Sequence, residues 1–412
     1  MASPKLWVES DSGSDVSSIS FIDQEPSDTF HFRVLDSALQ KIWPDAVAEE
    51  IGVEDVLGSE NRIIYVYRHP IGQPELHERF VIRTPRYDVG QLNGQIATLR
   101  FLRINGKIPA PVNLTFDKKD DNVLRSRYLL QNFIPGSTLL SSWSSLSQDH
   151  RCKVARELGH VYRELLTTRS DIPGFLTLSR GDTAALRIIP LEPGLQKRYS
   201  YNASPTPSDV HRFLINVFLG RWVILDEPLL SNDAWPTLRD QLCRMASEMA
   251  TEGWFKDCYI SLAHINLVPR NVMVNPTDTA SPIISAILDW DSAVFAPQFT
   301  CCQPPMWLWN WNDGGEQDER LANETPSTPE AQQLKEVFEE AAGPEYARFA
   351  YAPAYRLARR LVRFVIEDIQ SNEDYQEAEQ IIEEWKEMRD NSKVHTPVTE
   401  ENVWDYAESL GV

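Results

Sequence analysis

The sequence has few cysteines and no long apolar run. Its five cysteines show no C-x-x-C spacing of the kind that binds zinc or cycles between thiol and disulfide. An odd number cannot all pair, so the cysteines predict reduced thiols and no disulfide framework. No run approaches the roughly 18 apolar residues that a membrane-spanning helix needs. The first 28 residues carry Ser and Asp where a signal peptide carries an apolar stretch, which predicts a cytoplasmic protein.

The sequence is also poor in positive charge. Lys and Arg number 40 against 60 Asp and Glu, which gives a formal net charge of -20. An acidic surface repels polyanions, so we expect neither nucleic acid nor an anionic membrane as a partner. A cationic small molecule is compatible with this charge, although the need for solubility alone also explains it.

Length and composition support a large folded core. The chain has 412 residues, of which 42% are hydrophobic and 10% aromatic. This is enough for one large domain or for two lobes that share a cleft. Shifts in composition predict a disordered or loosely docked tail at 1–28, an N-terminal lobe at 29–135, a C-terminal lobe at 136–395 and a C-terminal tail at 396–412.

The order of apolar patterns predicts an α+β fold. Two β-rich runs at 62–67 and 78–84 flank a Pro- and Gly-containing loop and indicate a hairpin. A helical pattern at 91–102 follows, and a further strand at 128–134 ends at a Pro-Gly pair. Beyond this pair the apolar residues recur mainly at helical spacing, for example in the helix that Ser147 is expected to cap.

The residues that point to chemistry lie between positions 259 and 293. The chain reads Y-I-S-L-A-H-I-N-L-V-P-R-N-V-M-V, and then, after a turn, I-I-S-A-I-L-D-W-D-S-A. Two short β-rich pieces flank the turn and predict a hairpin, with Asn271 before one strand and Asp289 after the other. Such a hairpin brings an amide and a carboxylate together at one end of a sheet. Hard oxygen ligands of this kind hold magnesium against the phosphates of a nucleotide.

These residues resemble the H-x-D-x-x-x-x-N loop and the D-x-D segment of the aminoglycoside phosphotransferase and choline-kinase-like superfamily, including its fungal branch. Other stretches resemble the family in the same order: 81–86 its phosphate-binding strand, 108–111 its I-P-x-P turn, 132–136 its hinge, and 295–307 the segment after the metal carboxylates. The resemblance covers roughly residues 55–390. It implies a protein-kinase-like, two-lobed α+β fold, with an antiparallel sheet and a helix in the small N-terminal lobe and a larger, mainly helical C-terminal lobe.

The resemblance also implies roles for individual residues. ATP and Mg²⁺ would be the cofactors and the hydroxyl group of a small molecule would be the acceptor. Metal ligands would be Asn271, Asp289 and Asp291; nucleotide contacts would come from Arg83, Gln95, Ser59, Asn132 and Ile134. Asn266 stands at the catalytic position of the loop and would orient the acceptor hydroxyl, while His264 would brace the loop by hydrogen bonds.

The sequence departs from the family in three places. Position 266 is Asn where the family has Asp, and an amide cannot accept a proton. No Glu occurs between Arg83 and Phe101, so Gln95 stands where a kinase has the carboxylate that pairs with its phosphate-binding base. The candidate phosphate loop at 57–61 has a single Gly and no G-x-G-x-x-G pattern.

Three functions fit these departures. The first is an ATP-dependent small-molecule kinase that is slow because position 266 is Asn. The second is a kinase-fold protein that has lost phosphoryl transfer and acts by binding or regulation. The third is an enzyme redirected to another reaction, as in fungal secondary metabolism. An engineered Asp-to-Asn exchange is a further explanation, because the two residues are isosteric. The acceptor and the oligomeric state stay open.

Overall fold

The structure is a computed structural model of the chain. It describes residues 27–56, 61–69, 71, 78–85, 90–179, 185–192, 208–220, 234–276, 282–311 and 318–394. The predicted C-terminal tail and all but the last two residues of the predicted N-terminal tail lie outside these ranges. Ser59 of the candidate phosphate loop also lies outside them.

The elements follow the predicted order, with additional short strands. The strands are β1 Ile51–Val56, β2 Asn61–Arg68, β3 Glu78–Pro85, β4 Asn113–Asp117, β5 Tyr128–Asn132, β6 Ser137–Thr138, β7 Arg169–Ser170, β8 Gly174–Leu178, β9 Leu186–Pro190, β10 Ile260–Ala263, β11 Val272–Val274, β12 Ile284–Ile287 and β13 Val294–Pro297. The helices are α1 Ser27–Lys41, α2 Gly90–Asn105, α3 Leu139–Ser142, α4 Gln148–Thr167, α5 Val210–Gly220, α6 Ala234–Thr251, α7 Pro329–Ala342, α8 Pro344–Ala350, α9 Pro353–Glu367 and α10 Asn372–Val394.

The chain divides into two compact units. Unit 1 comprises residues 1–208 and 259–351, and unit 2 comprises residues 209–258 and 352–412. The lobe boundary predicted near residue 135 lies within unit 1. All residues predicted to form the site also belong to unit 1.

The N-terminal part of unit 1 is an antiparallel sheet with the strand order β1-β2-β3-β5-β4. Alternate residues of β2 and β3 point to a shared core in which Ile64, Val66 and Ile82 pack with Phe30 and Val34 of α1. This alternation is what gives a strand one buried and one exposed face. The predicted hairpin of β2 and β3 is confirmed by their continuous antiparallel register, and α2 lies against β4, β5 and β8.

The rest of unit 1 combines helices with two further sheets. One sheet has the order β7-β10-β13-β8-β9 and the other the order β12-β11-β6. The predicted hairpin of β11 and β12 is confirmed, and so is Ser147, whose side chain caps α4 by accepting from the backbone N–H of His150. The antiparallel sheets and the helices confirm the predicted α+β class. The sheet built on β10 and β13 was not predicted from the sequence, because these strands are buried on both faces and show no alternation.

Unit 2 is built from α5, α6, α9 and α10. Its helices agree with the mainly helical spacing predicted beyond the Pro-Gly pair at 135–136. Trp385 is buried on α10, and its indole N–H donates to Glu248 of α6 over 2.8 Å. Arg389 forms an ion pair with the same carboxylate at 2.8 Å. A buried indole that keeps its hydrogen bond fixes the contact between these two helices.

Alanine substitutions at two helix glycines of unit 1 are expected to change the stability of the protein in opposite directions. A Cβ at Gly159 of α4 would lie 2.6 Å from the carbonyl oxygen of Phe338 and 2.7 Å from the Cβ of Ala341, both on α7. We expect Gly159→Ala to destabilise the protein by about 1–3 kcal/mol through overpacking. At Gly94 of α2 the nearest atom, the Leu176 carbonyl oxygen, is 3.5 Å away, so Gly94→Ala should stabilise by about 0.5–1 kcal/mol. Midpoints of thermal unfolding measure both; a rise for both variants would contradict the close approach of α4 and α7.

Candidate functional site

The loop between β10 and β11 carries the predicted catalytic and metal-binding residues. A single 3₁₀ turn, Pro269–Asn271, ends the loop and leads directly into β11. The backbone N–H of Leu288, just after β12, donates to the carbonyl oxygen of Asn271 over 2.8 Å. The hairpin therefore continues one step beyond its strands. As a result, Asn271 and Asp289 lie at the same end of the β11–β12 sheet.

Three side chains meet at this end of the sheet. The amide nitrogen Nδ2 of Asn266 lies 3.2 Å from Oδ2 of Asp289, and Nδ2 of Asn271 lies 3.3 Å from the same oxygen. Asn271 Nδ2 also donates to the backbone carbonyl of Asn266 over 2.8 Å. One carboxylate oxygen thus accepts from two amides. The structure therefore brings together three of the predicted site residues, Asn266, Asn271 and Asp289.

The side chains fit a divalent cation in their chemistry. Asn271 uses its amide nitrogen to hold the loop carbonyl, so its side-chain oxygen is the atom that remains to face a ligand. Amide and carboxylate oxygens are the ligands that Mg²⁺ prefers, together with water and phosphate oxygens. Across the described residues, no group of three or more His, Cys, Asp or Glu side chains is arranged to hold a metal.

Two residues of the site have left-handed backbone conformations. Asp289 has φ 64° and Ile265 has φ 65°. Asp tolerates this region, but a β-branched residue does so only at a cost of about 1–2 kcal/mol. The strained Ile265 lies directly between His264 and Asn266. Strain of this kind concentrates where the surrounding structure fixes the position of functional side chains.

His264 ties the loop to the end of β12. Its ring is buried, with 2% of its surface exposed, and Nε2–H donates to the carbonyl oxygen of Leu288 over 2.8 Å. The ring also packs edge-on against Trp290, with centroids 4.5 Å apart. Burial lowers the pKa of His264 below its ordinary value, although the hydrogen bond to Leu288 and the charge of Asp289 act in the opposite direction. His264 is consequently a neutral structural brace for the loop.

The lowered pKa of His264 predicts a pH dependence of stability. A histidine with a lower pKa in the folded state binds its proton preferentially in the unfolded state, so stability falls as the pH drops below about 6.5. We expect a loss of up to about 1.4 kcal/mol per pH unit from this residue. In His264→Gln, an amide N–H replaces the ring donor without titrating. As the pH is lowered from 7.5 to 5, the thermal unfolding midpoint should therefore fall less steeply for the variant than for the parent. Equal slopes would contradict a lowered pKa of His264.

Arg83 lies on β3 and contacts Asp291. Its Nη2 lies 3.3 Å from Oδ2 of Asp291, and the two side chains are each only 12% exposed. Nδ2 of Asn61, at the start of β2, donates to the same carboxylate oxygen over 3.1 Å. The N-terminal sheet therefore meets the D-W-D segment through this one carboxylate. The structure places Asp291 against Arg83 and Asn61, and places Asp289 against the two loop amides.

The other predicted nucleotide contacts lie on separate elements. Gln95 is buried on α2, and its Nε2 makes no hydrogen bond within the described part of the chain. The side-chain oxygen of Asn132 accepts from the backbone N–H of Val112 over 2.6 Å, so this amide supports the preceding turn. Ile134 follows β5 and is half-buried. Gly136 has φ 108°, and a Cβ there would lie 2.1 Å from the Val274 carbonyl oxygen, so only glycine fits this position.

The sequence reasoning did not identify two residues of the site. Nη2 of Arg270 donates to Oδ1 of Asn266 over 3.3 Å, so this exposed guanidinium lies beside position 266. A signal was present, because a basic residue directly precedes Asn271 in the P-R-N sequence. Asn61 is the second. It is a buried polar residue at the start of a strand, and no local pattern reveals its partner.

A cavity of about 730 Å³ lies elsewhere in unit 1, between the end of α2, residues 108–112, α4 and the start of β12. It is lined by Ile108, Pro109, Val161, Glu157 and Ile284, among others. Neither loop amide nor Asp289 lines this cavity.

Within the described ranges, no helix is both long enough and apolar enough to cross a membrane.

Comparison with known proteins gives one family match. The model of the phosphotransferase enzyme family, APH, matches residues 58–300, which is more than half of the chain. No curated protein matches the chain. Among solved structures, the GDP complex of wild-type aminoglycoside 2'-phosphotransferase-IIIa is similar, with 16% identity, a TM-score of 0.45, and 87% of this chain and 98% of that chain covered.

Two further solved structures are similar at the same level. For a putative aminoglycoside phosphotransferase from Ralstonia eutropha, the identity is 14% and the TM-score 0.45, with 87% of this chain and 96% of that chain covered. For an ethanolamine kinase from Plasmodium vivax, the identity is 12% and the TM-score 0.44, with 88% and 89% covered. Likenesses this distant say nothing about a substrate.

Proposed function

The chain belongs to the phosphotransferase enzyme family, and from this membership we propose that it transfers the γ-phosphoryl group of ATP to a hydroxyl group of a small molecule. The observation that carries the proposal is the convergence of Asn266 and Asn271 on Asp289, within 3.2 and 3.3 Å. The family's chemistry needs an amide and a carboxylate for the metal beside a residue that orients the acceptor. All three positions meet at the end of the β11–β12 hairpin.

Each residue has a defined task in this proposal. Asn271 and Asp289 hold Mg²⁺, which, when bound, neutralises charge on the phosphates. Arg83 contributes positive charge from the N-terminal sheet towards the phosphates. Arg270 holds the amide oxygen of Asn266 over 3.3 Å, which fixes the direction of the amide group. His264 keeps the loop in place through the Leu288 carbonyl.

The amide at position 266 limits the rate. It can donate a hydrogen bond to the acceptor oxygen or accept one from the acceptor hydroxyl, but it cannot remove the proton. General-base catalysis contributes about 10²- to 10⁴-fold. Phosphoryl transfer depends more on positioning and charge neutralisation than on the base. We therefore expect a slow kinase whose acceptor hydroxyl loses its proton to solvent or to the phosphate.

A titration of ATP against thermal stability, with and without Mg²⁺, tests the nucleotide site. A ligand that binds only the folded state stabilises it by RT ln(1 + [L]/Kd), about 2.7 kcal/mol at 100 times Kd. We expect a rise in the unfolding midpoint at millimolar ATP that increases with Mg²⁺. A set of amino alcohols, sugars and aminoglycosides then reveals the acceptor by release of ADP. Absence of any shift at millimolar ATP would overturn the proposal.

One observation favours a second candidate, a nucleotide-binding protein without phosphoryl transfer. Asn266 uses its side-chain oxygen for Arg270 and its nitrogen for Asp289, so both polar atoms already have partners within the chain. In this case ATP still raises the unfolding midpoint, but no acceptor consumes it. Stoichiometric release of ADP with any defined small molecule excludes this candidate.

A further inference from the structure

We propose that Asp291 is the anchor of Arg83, and that it replaces the helix carboxylate with which a kinase usually pairs its phosphate-binding base. The inference rests on the proposed function in one respect, namely that Arg83 faces the phosphates of the nucleotide. It gives Asp291 a positioning role in place of a role as metal ligand. The ion pair itself is a property of the ligand-free protein and can be tested without any substrate.

The contacts of Asp291 carry the proposal. Its Oδ2 lies 3.3 Å from Nη2 of Arg83 and accepts from Nδ2 of Asn61 over 3.1 Å. Both members of the ion pair are 12% exposed. An ion pair with so little access to water is poorly screened, and removal of one partner leaves the other charge buried and unpaired. Oδ2 therefore accepts from two side chains of the N-terminal sheet, Arg83 on β3 and Asn61 on β2.

A kinase usually takes the carboxylate that pairs with its phosphate-binding base from the helix after that strand. Here this helix, α2, contains no Asp or Glu. No Glu or Asp occurs between Arg83 and Phe101 except at Asp88, which precedes α2. Gln95 of α2 is 1% exposed, and its Nε2 makes no hydrogen bond within the described residues. The Nε of Arg83 is likewise buried without such a bond among those residues. The helix amide and the guanidinium are therefore not hydrogen-bonded through these atoms, and the observed ionic partner of Arg83 is Asp291.

The position of Asp291 in the chain links Arg83 to Asp289. It lies in the 3₁₀ turn Trp290–Ser292, two residues after Asp289, and α2 packs against this turn. The indole N–H of Trp290 donates to the Ile287 carbonyl over 2.8 Å and is fully buried, which holds the turn on the end of β12. The turn thus fixes the distance between the Arg83 guanidinium on β3 and the Asp289 carboxylate. Loss of the anchor frees Arg83 without altering Asp289.

Nucleotide affinity measured without metal distinguishes the two roles of Asp291. We expect Asp291→Asn to weaken ATP binding about tenfold in the presence of EDTA, because Arg83 loses its charged partner. If Asp291→Asn weakens binding only when Mg²⁺ is present, Asp291 is a metal ligand and the proposal fails.

The stability of the ligand-free protein provides a test that does not depend on the proposed function. Thermal midpoints of Arg83→Met, Asp291→Asn and the double variant form a cycle. We expect the double variant to be less destabilised than the sum of the single variants, because each single change leaves one buried charge unpaired. Arg83→Gln, which also removes the charge but keeps polar atoms, serves where Arg83→Met does not fold. Additive shifts would overturn the anchor, whereas a failure of ATP to bind the unaltered protein would overturn only the proposed function.

Discussion

Asp289→Asn is expected to reduce ADP release by about 10³-fold or more, and to abolish the part of ATP-dependent stabilisation that requires Mg²⁺. The carboxylate accepts from both Asn266 and Asn271, and it is the charged member of the group that would hold the cation. An amide of the same shape keeps the space filled but removes the charge. Steady-state ADP release at saturating nucleotide and an ATP titration with and without Mg²⁺ measure the two effects.

Asp257→Asn is the matched control for this variant. Asp257 is an exposed aspartate of the same left-handed conformation, with φ 54° against 64° for Asp289. Asn adopts the left-handed conformation as readily as Asp does, so both exchanges have the same effect on backbone strain. We expect Asp257→Asn to leave nucleotide binding and ADP release unchanged. Equal losses in the two variants, or full activity in Asp289→Asn, would remove Asp289 from the site.

The sequence predicts the centre of the site because the relevant constraints are local. The loop before β11 and the aspartate after β12 are joined by a short hairpin, and a hairpin places its two outer ends side by side. The proximity of Asn271 and Asp289 therefore follows from strand pairing alone. The bracing role of His264 was implied by the resemblance to the family, and its partner in the structure is Leu288, the residue after β12.

The parts that the sequence does not predict depend on long-range contacts. Arg83 and Asp291 are separated by 208 positions, and Asn61 and Asp291 by 230. No periodicity links residues so far apart. The sheet that contains β10 fails for a different reason: all four residues of Ile260–Ala263 are buried. Buried strands show a continuous apolar run, and such a run does not distinguish a strand from part of a helix.

The same long-range contact changes the meaning of one departure from the family pattern, the neutral Gln95 on α2. Gln95 in place of a carboxylate looks like a weakened phosphate site when α2 is considered alone. In the structure, the negative charge beside Arg83 comes from Asp291. Under the proposed function, the second acid at Asp291 and the neutral residue at Gln95 are then one compensated change. The amide at position 266 contacts Asp289 and Arg270, and it cannot itself take a proton.

Asn266→Asp is expected to raise ADP release about 10²-fold when acceptor and Mg²⁺ are present, because the new carboxylate can take the proton of the acceptor hydroxyl. The ligand-free protein should at the same time become less stable. In the parent, Nδ2 of Asn266 lies 3.2 Å from Oδ2 of Asp289, and the exchange places a second negative oxygen there. Two carboxylates at this separation repel each other unless a cation or a proton lies between them.

Mg²⁺ without nucleotide should therefore stabilise Asn266→Asp more than it stabilises the parent, since the cation relieves this repulsion while Arg270 still pairs with the other oxygen. Asn266→Ala is the control, because it removes the amide without adding a base. If the Asp and Ala variants release ADP at the same rate, proton transfer at position 266 does not limit the reaction. If Asp alone is faster and gains the Mg²⁺ response, the amide is what slows an otherwise complete phosphotransferase site.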